Sequence, residues 1–115
     1  MRRGEVRLVE FAPARKAEAD KTRPALIVSN DGANATAERL GRGVITVLPI
    51  TSNVERIYPF QVLLSAAESG LHRDSKVQAE QVRAVAVSRI GQRIGRVDGR
   101  RMADVDAALR LHLAL

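Results

Sequence analysis

The sequence predicts a mainly β domain that closes with a single helix, curled into a small barrel or a strongly bent sheet. Three observations carry that prediction. Short apolar, β-branched runs recur along the chain; turn residues separate them; and only the C-terminal stretch has helical spacing. At 115 residues the chain is one domain, 1–115.

The elements follow in order. Residues 4–11 read as a strand with Val6 and Leu8 on one face and Val9 and Phe11 on the other. A charged loop follows over 13–22, holding Arg15, Lys16, Glu18, Asp20 and Lys21. Pro24 opens the next strand, which runs to Ser29. Its unbroken Ala25-Leu26-Ile27-Val28 predicts burial on both faces. Residues 30–42 contain Asp31-Gly32 and run into Gly41-Arg42-Gly43, which predicts a connection with room for one helical turn.

Residues 43–50 form a further strand that leads into Thr51-Ser52-Asn53. Another is expected over 61–65, before a turn at Ser69-Gly70. Two more are expected over 76–79 and 82–90, with Val85 and Val87 alternating. A last strand over 93–97 is weakened by Gly91 and Gly95. Asp98 is placed to cap the terminal helix, where Met102, Val105, Leu109 and then His112 or Leu113 recur at helical spacing. That apolar side should cover the sheet or join a dimer seam.

Composition narrows the functions. Aromatics make up 3% of the chain, so the core must be aliphatic. There is no cysteine, which excludes disulfides, thiolate catalysis and cysteine-ligated zinc. His72, expected as a solvated turn residue, and His112, on the helix face, lack partners at ligand spacing, so no metal or other cofactor is expected. The N-terminus shows no signal-peptide pattern and no run approaches a membrane span, which predicts a cytoplasmic protein with no membrane partner. Net charge is +6, suited to a polyanionic partner. Between Arg83 and Arg101 lie six arginines and one acid, Asp98: a phosphate-facing rim or the solvated side of strands.

Phosphate-loop, nucleophile-elbow and dinucleotide motifs do not occur. Two stretches remain. In Lys21-Thr22-Arg23-Pro24-Ala25 an arginine is held in extended geometry by the following proline. In Pro49-Ile50-Thr51-Ser52-Asn53 small polar residues end an apolar strand. If the two strands are neighbours, Arg23 and Thr51 can face one another. A guanidinium and a hydroxyl that converge in a groove suit an RNA phosphodiester.

These stretches, with Gly4-Glu5-Val6, Tyr58-Pro59-Phe60-Gln61-Val62 and Gln78-Ala79-Glu80-Gln81-Val82-Arg83, resemble the MazF/PemK/Kid endoribonuclease toxins in order and spacing across nearly the whole chain. The resemblance implies an SH3-like barrel of the MazF/CcdB type, assembled as a homodimer with single-stranded RNA across the dimer groove. It implies metal-free cleavage that leaves a 2′,3′-cyclic phosphate and a 5′-hydroxyl. It also implies an acidic, MazE-like antitoxin whose tail blocks the groove. The family's arginine falls on Arg23, its threonine on Thr51, and an acid of its first loop on Glu18.

On this reading the ribose 2′-hydroxyl attacks the neighbouring phosphorus. Arg23 stabilises the developing charge and Thr51 fixes the scissile phosphate. Arg23 is not the base, because a guanidinium keeps its proton; Glu18 is the candidate acceptor. Lys21, Ser52, Asn53, Gln78, Glu80 and Gln81 are the expected RNA contacts, by hydrogen bonds more than by stacking. Two rivals are a CcdB-like toxin that binds DNA gyrase and a basic barrel that holds nucleic acid without cutting it.

Overall fold

The computed structural model describes residues 1–11 and 22–115. Its seven strands are β1 (Glu5–Glu10), β2 (Thr22–Ile27), β3 (Val44–Thr51), β4 (Gln61–Leu64), β5 (Ser75–Gln78), β6 (Arg83–Ala86) and β7 (Ile90–Arg96). Three helices join them: α1 (Asp31–Leu40), α2 (Ala66–Ser69) and α3 (Gly99–Leu113). Every pairing is antiparallel, in the order β4-β5-β3-β2-β1-β7, with β6 also on β3.

β3 organises the sheet. Its first half pairs with β6, from Val44↔Ala86 to Val47↔Arg83. Its end pairs with β5 through Ile50↔Val77 and Thr51↔Lys76. The other edge of β3 meets β2. One strand therefore serves three partners, and its polar tip lies where two of them diverge.

The aliphatic core splits into two clusters on opposite faces of β2. Leu26 joins Val6, Leu48, Leu64, Val77 and Val105 beneath α3. Ala25 and Ile27 join Val9, Ile45, Val47 and Val85, with Ala37 of α1. β2 is thus buried on both faces, as its apolar run predicts. Phe11 packs on the Val9 cluster and Val6 belongs to the other, in line with the expected alternation along β1.

α1 corrects the expectation of a single helical turn. It spans ten residues, capped by the Asn30 side chain, which accepts from the Ala33 N–H, and by Gly41 in the left-handed conformation (φ 68°). Its only buried residues are Asn34 and Ala37. The Asn34 amide donates to the Ser29 carbonyl at 2.8 Å. A helix docked by an amide and an alanine has no apolar stripe, so periodicity misses it.

Two other expectations change. The strand expected over 82–90 divides into β6, a 3₁₀ turn at Val87–Arg89, and β7, which absorbs the strand expected over 93–97. The turn at Ser69-Gly70 is the end of α2, whose capping box pairs Ser65 with Glu68.

α2 fills the space beside β7. A Cβ on Gly95 would lie 2.3 Å from the Ser69 carbonyl oxygen, so only glycine permits this approach. α3 begins at Asp98, whose carboxylate accepts from the Arg101 N–H as expected. It buries Met102, Val105 and Ala108, with Leu109 partly covered, whereas His112 and Leu113 are exposed. The helix packs on β4, so the cover over the sheet is realised. No helix among the described residues is long and apolar enough to cross a membrane.

Candidate RNA-cleavage site

The β2–β3 ladder stops at Ala25↔Pro49. Neither Pro24 nor Pro49 has an N–H to offer, so ladder bonds are lost on both strands at this point. Continuing the same register by two residues brings Arg23 level with Thr51. Beyond the last pair both residues line one cleft of about 350 Å³.

Ser52, His72, Arg73 and Ser75 complete its polar lining, and Pro24, Ile50 and Leu71 supply apolar wall. Not one of these residues is an acid. Asp74, next in sequence to Arg73, instead accepts from the Ala66 N–H at 2.9 Å. Arg23 and Arg73 form no ion pair among the described residues and are both exposed. A cleft walled by cations of one sign concentrates anions.

Thr51 is half-buried, and its Oγ1 accepts from the Asn53 N–H at 3.2 Å. An oxygen already accepting on one side leaves the hydroxyl proton free for another acceptor. The Asn53 Oδ1 in turn accepts from the Glu55 N–H at 3.3 Å. These two bonds hold the strand tip in its turn.

The expected RNA contacts divide. Ser52 is in the cleft with Arg23 and Thr51. Asn53 lines a neighbouring hollow of about 410 Å³ with Arg56, Tyr58 and Lys76. Tyr58 is exposed and stacks on Phe60 at 5.3 Å between ring centroids, which gives stacking more scope than the low aromatic content predicts. Gln78, Glu80 and Gln81 line neither space. Glu80 is held within the protein: the Gln61 amide donates to its Oε2 at 2.7 Å, and its Oε1 is buried without a partner. Glu18 and Lys21 lie outside the described residues.

Sequence reading missed two residues of this cleft, His72 and Arg73. His72 is exposed, as a solvated turn residue should be, yet it sits beside Arg23 and Thr51. No local pattern signals this. The turn arrives because β5, which follows it, pairs with the tip of β3.

Residues 2–113 match the family model described as PemK-like, MazF-like toxin of type II toxin–antitoxin system. The chain is 59% identical over its full length to 98% of "Endoribonuclease MazF9" of Mycobacterium tuberculosis. It is 30% identical over its full length to 96% of "Endoribonuclease EndoA" of Bacillus subtilis. Its fold matches that of a mycobacterial endoribonuclease solved with its cognate antitoxin, at TM-score 0.79 and 22% identity, covering 100% of this chain and 96% of the other. It also matches MazF of Deinococcus radiodurans, at TM-score 0.77 and 25% identity, covering 100% and 97%.

Proposed function

The chain belongs to the PemK-like, MazF-like toxins of type II toxin–antitoxin systems, and from that membership we propose that Arg23 and Thr51 carry the endoribonuclease chemistry of this toxin. The observation behind the assignment is the cleft they share beyond the last β2–β3 pair, whose lining among the described residues holds two arginines and no acid. The substrate is single-stranded RNA, cut without a metal in the cytoplasm by a homodimer, and a cognate acidic antitoxin restrains the toxin.

The substrate's 2′-oxygen loses its proton and forms a bond to the adjacent phosphorus as the 5′-oxygen leaves and takes a proton from solvent, giving a 2′,3′-cyclic phosphate and a 5′-hydroxyl. The phosphorane carries extra negative charge, which the Arg23 guanidinium meets with paired N–H donors. The Thr51 hydroxyl donates to a phosphate oxygen and fixes the phosphorus for in-line attack. Glu18 is the proposed acceptor of the 2′-proton. Lys21, Ser52, Asn53, Gln78 and Gln81 remain the proposed RNA contacts, with Ser52 nearest the scissile phosphate, whereas Glu80, tied to Gln61 and turned into the protein, leaves that set.

Purified protein mixed with naked RNA and EDTA should release discrete fragments that end in cyclic phosphate and 5′-hydroxyl. An all-DNA copy of the same sequence should stay intact. Retention of RNA without fragments would favour a non-cutting barrel, and cleavage of the DNA copy would end the 2′-hydroxyl mechanism.

A further inference from the structure

The arginine-rich stretch between Arg83 and Arg101 divides once its partners are known. Arg101 is tied to Glu68 and Asp104, Arg89 lies 3.6 Å from Glu10, and Arg83 rests 5.0 Å above the Phe11 ring. Arg93 has no ion pair among the described residues. It lines a second cleft, of about 460 Å³, with Gln92 and Ile94 of β7. Pro24, Leu71 and His72 line both this cleft and that of Arg23, so the two spaces adjoin.

From this adjacency we infer that Arg93, with Gln92 and His72, forms a second phosphate subsite for the nucleotide next to the scissile one. The inference rests on the RNA-cutting reading and extends it. A strand that leaves the Arg23–Thr51 cleft past His72 comes directly onto the Arg93 guanidinium. The second cleft, like the first, is lined by no acid among the described residues. Guanidiniums without carboxylate partners among the described residues, set in adjoining clefts, match a backbone that carries a charge at every nucleotide.

The test is the salt dependence of binding to a fully 2′-O-methylated RNA oligonucleotide, which cannot be cut. Each phosphate neutralised on a single strand contributes about 0.7 to the slope of log K against log salt. Arg93→Ala should lower the slope by about 0.7, and Arg93→Gln should do the same while keeping the aliphatic stem. Arg96→Ala removes an equal charge from the same strand outside both clefts and should leave the slope unchanged.

An unchanged slope in both Arg93 variants would overturn the subsite, as would an equal drop in Arg96→Ala, which would mean diffuse charge. Weaker antitoxin binding with an unchanged RNA slope would assign Arg93 to the antitoxin instead and also overturn it. Wild-type protein that binds the RNA at no salt concentration would bring down the RNA reading itself, a result distinct from all of these.

Discussion

Two arginine environments divide this molecule. On the β2–β3 side, Arg23, Arg73 and Arg93 line two adjoining clefts with no carboxylate among their described lining residues. On the α2–α3 side, Arg101 is clamped by Glu68 Oε1 at 2.7 Å and Asp104 Oδ2 at 3.0 Å. Asp104 first, then Glu68, raise its already high pKa. Arg3 behaves like Arg101: it pairs with Asp106 of α3 and donates to the Val28 carbonyl at 2.9 Å. Clamped guanidiniums join elements of the fold, whereas free ones leave charge for a ligand. Residue type and net charge are the same in both; the partner separates them.

Substitutions should split along this line. Arg23→Ala removes a donor aimed at developing charge, which typically costs about 10²–10³ in rate. Cleavage assays should show that loss while the melting temperature stays within a degree or so of wild type, as expected for an exposed residue away from packed or paired features. Near-normal cleavage would erase the contrast between the two regions.

Gly95→Ala tests the other side. Its Cβ would press on the Ser69 carbonyl where α2 meets β7, and overpacking of this kind costs about 1–3 kcal/mol, readable by urea unfolding. Asp98→Ala, which deletes the N-cap of α3, should cost about 1 kcal/mol in the same measurement. Arg101→Ala should cost less, because its pairs are partly exposed and screened by solvent. It should leave the cleavage rate untouched, the mirror image of Arg23→Ala.

The smallest expected effect is a pH dependence. The backbone N–H of Ser65 holds the Glu68 carboxyl below its ordinary 4.5; Arg101 and the Ser65 hydroxyl act in the same sense, and burial opposes them. A lowered folded-state pKa means the contribution is complete above the unfolded value and is lost as pH falls through the folded one. The difference in melting temperature between wild type and Glu68→Gln should therefore be constant near neutrality and shrink below about pH 4.5. A difference that grows on acidification would show that Glu68 is not held in its charged form.

Much of the fold was legible because it rests on local periodicity. The apolar run of β2, the turn residues between strands and the Asp98 cap each declare themselves within a few positions. α1 was not legible, because an asparagine and an alanine dock it and no apolar stripe marks its inner face. The break in the 82–90 segment was hidden as well, since valines alternate up to the 3₁₀ turn that divides it. Arg23, Thr51 and Ser52 could be read from two short motifs. Arg93 and His72 could not, as nothing nearby in sequence distinguishes them from solvated residues.

The sequence by itself determined an aliphatic β domain with a terminal helix, an excess of positive charge, and the pair of strand ends that supply a guanidinium and a hydroxyl. Only the tertiary structure decided which arginines are free and which are clamped, and that the turn before β5 stands beside Arg23. The physical reason is range. Periodicity and capping act over one or two turns of chain, whereas a partner such as Glu68 for Arg101, or the His72 wall beside Arg23, comes from residues tens of positions away that the fold brings close.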